Sequence, residues 1–124
     1  SQYDFGMSYP VQKAAIAALT GPRDGVKAQC MEYQKRRDSF LGALRKIGWN
    51  VPDSHGTMFV WLPVPEGYTS WSFCEALMDK AGVIGTPGTA FGPMGEGYIR
   101  FALVKPCEEL VHIAEVIGES GLFA

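Results

Sequence analysis

Residues 83–104 read VIGTPGTAFGPMGEGYIRFALV, a Gly/Pro-rich loop running into an apolar strand with one arginine, Arg100, in its middle. Side chains alternate across a strand. Ile99, Phe101 and Leu103 therefore share one face, while Tyr98, Arg100, Ala102 and Val104 share the other. The first face is wholly apolar and predicts core. The second sets a permanent cation among small and apolar neighbours, where an unpaired charge costs several kcal/mol. An acidic side chain such as Glu96, or an anionic ligand, has to meet that guanidinium.

Outward from this strand the chain supplies helices. Pro10 suits the first turn of a helix, and the alanine-rich PVQKAAIAALT continues it. Pro22 opens a second helix in which Val26, Cys30, Tyr33, Arg37, Phe40, Leu41, Leu44 and Ile47 recur at steps of three and four, one face over about six turns. Trp49-Asn50-Val51 and the apolar run 57–62 read as two strands joined by the turn-rich PDSHG, a hairpin. The second of these is apolar on both faces, which predicts a sheet covered on both sides. Ser72-Phe-Cys-Glu75 has the form of a capping box for a third helix, buried through Phe73, Ala76, Leu77 and Ala81 and stopped by Gly82. A short strand at Val83-Ile84, the Arg100 strand and a last helix from Pro106 complete the order α-α-β-β-α-β-β-α. The fold expected is a two-layer α/β domain of the α+β type, with a mostly antiparallel sheet of three or four strands and helices on one face.

Composition narrows the function. With 124 residues the chain has room for a sizeable core, and 47% hydrophobic residues with a mean hydropathy near zero fit a globular chain. A net charge of −2 argues against a nucleic-acid surface, which needs a basic stripe. Lys35-Arg36-Arg37 is flanked by Glu32 and Asp38 and reads as a solvated helix face. No apolar run approaches the roughly 18 residues of a membrane span. Cys30, Cys74 and Cys107 are odd in number and never form CxxC, a pattern of reduced thiols that points to the cytoplasm.

Most motifs for chemistry fail on spacing. Gly85, Gly88, Gly92, Gly95 and Gly97 match neither phosphate-loop pattern, and their loop enters a strand rather than a helix. His55 and His112 stand apart with no ligand-spaced partners, so no metal is expected. Cys107 lacks a matching base and reads as a packed cysteine. Arg100 survives, because a guanidinium grips a carboxylate bidentately and so fixes its orientation. A free-standing amino-acid-binding regulatory module and a structural oligomerisation domain with Arg100 paired internally are alternatives from other classes.

TPGTAFGPMGEGYIRFAL resembles the C-terminal signature of the class I/II, fold-type I aminotransferases that depend on pyridoxal phosphate: a P-G-x-x-F-G loop, then a G-x-x-R-x strand. DFGMSYPVQKAAIAAL, QKRRDSFLGALRKIGW and HGTMFVWLPVPEGY follow the same family in order, and the likeness is greatest to its LL-diaminopimelate and alanine aminotransferase-like branch. The resemblance implies amino-group transfer between an amino acid and a 2-oxo acid, as in amino-acid biosynthesis, with Arg100 binding the substrate α-carboxylate. It implies candidate substrate-entrance or dimer-contributed positions at Gly6, Tyr9, Thr86, Pro87 and Gly88. Residues 1–21 become an interdomain or dimer-contact segment with the first helix, and residues 22–124 the C-terminal small domain. The family's Schiff-base lysine sits in a Ser-x-x-Lys motif that this sequence lacks, and the phosphate- and ring-binding residues belong to a large N-terminal domain. The chain, opening on Ser1-Gln2-Tyr3-Asp4, is thus expected to be a piece of a homodimeric enzyme, with no catalytic or cofactor-binding residue of its own and no activity in isolation.

Overall fold

The computed structural model describes residues 8–123. Its elements are α1 (Tyr9–Thr20), α2 (Asp24–Lys46), β1 (Phe59–Pro63), α3 (Ser70–Ala81), β2 (Thr86–Pro87), two short 3₁₀ turns (Gly88–Phe91 and Pro93–Gly95), β3 (Tyr98–Ala102) and α4 (Cys107–Glu119). The chain divides into two compact units between Met31 and Glu32. In the first, α1 has Pro10 in its opening turn, as expected, and no buried residue.

In the second unit the sheet is antiparallel with order β1-β3-β2, so the arginine strand is central. The alternation expected of it holds: Ile99, Phe101 and Leu103 are buried. With Val60 and Leu62 of β1 they form the inner face, and the core adds Phe40, Leu41 and Leu44 of α2, Phe73 and Leu77 of α3, and Leu110, Ala114 and Ile117 of α4. Burying each of the Val, Leu, Ile and Phe side chains stabilises by about 1.5–3 kcal/mol. The apolar stripe of α2 is buried only over its C-terminal turns; Val26 and Cys30 are exposed.

Two expected strands do not form. Trp49 and Val51 are buried, but their backbone bonds are spent elsewhere. The Trp49 N–H donates to the Leu44 carbonyl at 3.1 Å, closing α2. The Val51 carbonyl accepts from the Arg45 guanidinium at 3.1 and 3.2 Å. Trp49 is instead a core anchor, stacked on Phe123 at 4.9 Å and edge-on to Phe73 at 5.2 Å, with its indole N–H on the Pro63 carbonyl at 2.9 Å. The predicted hairpin is therefore absent, and the order is α-α-β-α-β-β-α. Likewise the Val83 N–H returns to the Leu77 carbonyl, 3.2 Å away, so the edge strand forms three residues later, at Thr86. Strand β1 starts at Phe59 rather than Thr57, because Thr57 lies at φ +66°. Its hydroxyl accepts the Phe59 N–H at 3.1 Å, a local side-chain turn.

Helix α3 begins two residues before the expected box. Thr69 is its N-cap: its hydroxyl takes the Ser72 N–H at 3.0 Å, and Ser72 Oγ takes the Thr69 N–H at 2.8 Å. The helix stops at Gly82, in the left-handed region at φ +67° where a side chain would be strained.

Candidate functional site

The outer sheet face is lined by aromatic residues around Arg100. In register, Arg100 stands opposite Trp61 of β1 and Thr86 of β2. Trp61 and Tyr98 are partly open and stack on one another at 5.4 Å. The Arg100 guanidinium lies over two rings, 4.1 Å from the centroid of Phe59 and 4.5 Å from that of Phe91. It has no carboxylate partner among the described residues. The other arginines do otherwise: Arg36 pairs with Glu32 at 3.0 Å, Arg37 with Asp38 at 3.1 Å, Arg45 with Asp53 at 2.7 Å, and Arg23 donates to the Leu19 carbonyl at 3.0 Å. Glu96, the acid expected as an internal partner, is engaged elsewhere.

It is engaged at the start of α3. The Ser70 N–H donates to the Glu96 carboxylate at 3.0 Å, an anion at a helix N-terminus where the dipole favours it. The fully buried Ser70 hydroxyl accepts from the N–H groups of Gly97 at 2.8 Å and Tyr98 at 3.1 Å, and it faces the Gly95 carbonyl as donor at 3.3 Å. One hydroxyl thus fixes how the glycine loop enters β3. Ser70→Ala removes two partly buried hydrogen bonds, each contributing about 0.5–1.5 kcal/mol, so a urea melt should show stability lower by about 1–3 kcal/mol; an unchanged midpoint would contradict this.

The loop itself closes tightly. The backbones of Gly88 and Gly95 touch, and a Cβ on Gly88 would also stand 2.9 Å from the Tyr98 carbonyl oxygen. Its N–H groups turn inward: Gly92 to Thr89, Gly95 to Gly92, Glu96 to Pro93, all carbonyls within 3.3 Å. A phosphate cradle needs such donors free.

Of the sequence-selected positions, Thr86, Pro87, Gly88 and Arg100 come together around β2 and β3. Tyr9 opens α1 in the other unit, where the Lys13 ammonium lies 5.2 Å from its ring centroid; Gly6 falls outside the described residues. Ser70, Glu96 as a helix-capping anion and the rings around Arg100 escape a reading of the sequence. An aromatic residue inside the glycine loop is the one visible signal for Phe91. The cysteines are free. Burial pushes the Cys74 thiol up, so iodoacetamide labelling followed by mass spectrometry should modify exposed Cys30 well before Cys74. Among the described residues no cluster of three or more His, Cys, Asp or Glu could hold a metal, and no helix is long and apolar enough to cross a membrane.

The family profile for aminotransferase class I and II matches residues 2–117. The chain belongs to this family. This aminotransferase chain is 49% identical over 110 residues to the LL-diaminopimelate aminotransferase of Dehalococcoides mccartyi (strain ATCC BAA-2266 / KCTC 15142 / 195), covering 89% of this chain and 28% of that protein. It is 44% identical over 112 residues to the L-glutamine–4-(methylsulfanyl)-2-oxobutanoate aminotransferase of Bacillus subtilis (strain 168), covering 90% and 28%. A probable N-succinyldiaminopimelate aminotransferase from Thermus thermophilus superposes with a TM-score of 0.84 at 33% identity, covering 96% of this chain and 32% of that one. The chain spans about three tenths of the length of the curated relatives it matches.

The family is pyridoxal-phosphate-dependent, and the cofactor needs a lysine aimed into the site and a phosphate grip. Lys13, Lys27, Lys35, Lys46, Lys80 and Lys105 are all exposed, and the glycine loop gives the N–H groups of Gly92, Gly95 and Glu96 to its own carbonyls. The described residues do not by themselves fit the cofactor.

Proposed function

We propose that this aminotransferase chain is the carboxylate-binding small domain of a larger enzyme. Residues 1–21 act as the interdomain or dimer-contact segment and residues 22–124 as the small domain. The whole protein moves an amino group between an amino acid and a 2-oxo acid in amino-acid biosynthesis, as a cytoplasmic homodimer. A large N-terminal domain carries the lysine and the phosphate site, and this portion is inactive alone. Thr86, Pro87 and Gly88 border the substrate entrance, with Gly6 and Tyr9 contributed at the dimer contact. Likeness to the LL-diaminopimelate aminotransferases supports a substrate among amino acids of that class.

One observation carries the reading: Arg100 sits in the central strand, on the open sheet face, with its hydrogen-bonding edges unclaimed by any described carboxylate. A guanidinium donates in its own plane, and the rings beside it accept none of those N–H groups as a carboxylate would, so the donors remain for a substrate carboxylate. Held at two points, the carboxylate fixes the orientation of the attached Cα. The cofactor supplies the electron sink; the part of this chain is binding and orientation. The family match over residues 2–117 weighs against a stand-alone regulatory module.

The test is steady-state kinetics of Arg100→Lys in the aminotransferase that carries this chain. Lysine keeps the charge and loses the fork, so KM for the amino acid should rise about tenfold or more, by the roughly 1.4 kcal/mol per decade that a lost charged hydrogen bond exceeds. Cofactor loading, read from its visible absorbance, should stay intact. An unchanged kcat/KM would overturn the assignment.

A further inference from the structure

We propose that Phe91 is a positioning residue for Arg100, holding the plane of the guanidinium so that its in-plane donors stay aimed at the substrate carboxylate. This rests on the reading of Arg100 as the carboxylate clamp. Phe59, one of the two rings over the guanidinium, belongs to the sheet, where its register with Ala102 fixes it whatever Arg100 does. Phe91 is different. It ends the first 3₁₀ turn of the glycine loop and is 53% exposed. Its ring contacts are Trp61, edge-on at 5.9 Å, and the Arg100 guanidinium, 4.5 Å from its centroid. A phenylalanine that open gains little from burial, so its directed contact with a cation is the term that stands out.

The chemistry suits the place. An aromatic face attracts a guanidinium through its quadrupole and leaves the N–H edges free. An acidic partner would restrain the same side chain but occupy those edges, and the described residues provide none. The loop is a firm mount for such a ring, because the Gly88–Gly95 contact and the Ser70 hydroxyl pin both of its ends. Phe91 thus holds Arg100 in place for the carboxylate.

The experiment compares Phe91→Leu and Phe91→Tyr in the aminotransferase that carries this chain, with Arg100→Lys measured alongside. Leucine keeps apolar bulk and removes the ring face; tyrosine restores it. Phe91→Leu should raise KM for the amino acid about three- to tenfold, the range a partly desolvated cation–π contact covers. It should leave kcat within about twofold, because a lost ground-state contact changes KM first. The Kd of a 2-methyl amino acid, which carries the carboxylate but no transferable α-hydrogen, should rise by the same factor, and Phe91→Tyr should return both values to those of the parent. Unchanged KM and Kd in Phe91→Leu, with a raised KM in Arg100→Lys, would overturn the role of Phe91 and leave the clamp standing. A fall in kcat or melting temperature with KM unmoved would overturn it equally. If Arg100→Lys also leaves KM unmoved, the clamp and the inference fall together.

Discussion

Arg100→Met in the aminotransferase that carries this chain should lower kcat/KM for an amino acid by about a hundredfold or more. Two charge-assisted hydrogen bonds to a carboxylate, each contributing about 1.5–3 kcal/mol, are lost together, and every 1.36 kcal/mol is a factor of ten. Methionine matches the length of the arginine stem and suits the apolar neighbourhood of Phe59 and Phe91. The inner face of β3 is untouched, since Ile99 and Phe101 point to the opposite side. Stability should therefore hold, and a melting temperature within a few degrees of the parent is the check that the kinetic loss is local. A substrate lacking the carboxylate provides the sharper control. With the decarboxylated amine, parent and Arg100→Met should be equally slow, because the group that distinguishes them is gone and the two changes fail to add. A parent that still outpaces the variant a hundredfold on the amine would show Arg100 acting on something other than the carboxylate.

Arg100 was legible in the sequence because it needs only period-two alternation and the permanence of its charge. Both are local properties, and residues 98–103 obey them. The strands expected at 49–51 and 83–84 rested on β-propensity, which says nothing about where a backbone N–H will be spent. Trp49 gives its N–H to the last turn of α2, and Val83 gives its own to the last turn of α3. Each helix end took the donor before a strand could. The apolar stripe of α2 is continuous in sequence, but burial depends on what lies opposite: Phe40, Leu41 and Leu44 are buried, Tyr33 packs against the core half-buried, and Val26 and Cys30 are exposed. Ser70 was invisible for a different reason. Its partners lie 25 to 28 residues away, and a serine near a helix start reads first as a cap, a duty that Thr69 performs here. The arginine was visible; that Glu96 turns to Ser70 instead, and that rings hold the guanidinium, required the fold.

Gly88→Ala should be the most damaging small substitution in the loop, and the reason is a backbone contact. A methyl group at Gly88 would run into the Gly95 carbonyl oxygen and would stand 2.9 Å from the Tyr98 carbonyl oxygen. Neither obstacle is the end of a flexible side chain. The strands of the loop have to part, and Tyr98 is where Ser70 holds β3. Overpacking of this kind costs about 1–3 kcal/mol, so a urea melt should move clearly to lower midpoint. The same displacement carries Thr86 and Phe91 away from Arg100, so KM for the amino acid should rise as well. Gly56→Ala is the matched control: nothing lies within 4 Å of its added methyl, and stability should stay within about 0.5 kcal/mol. Gly95→Ala meets the same wall from the other side, with the Gly88 backbone as its obstacle. Once one methyl has forced the two segments apart, the second finds room already made. The double variant should then lose less than the sum of its singles, the coupling expected of residues in contact. Simple additivity would mean that the two glycines do not share one contact.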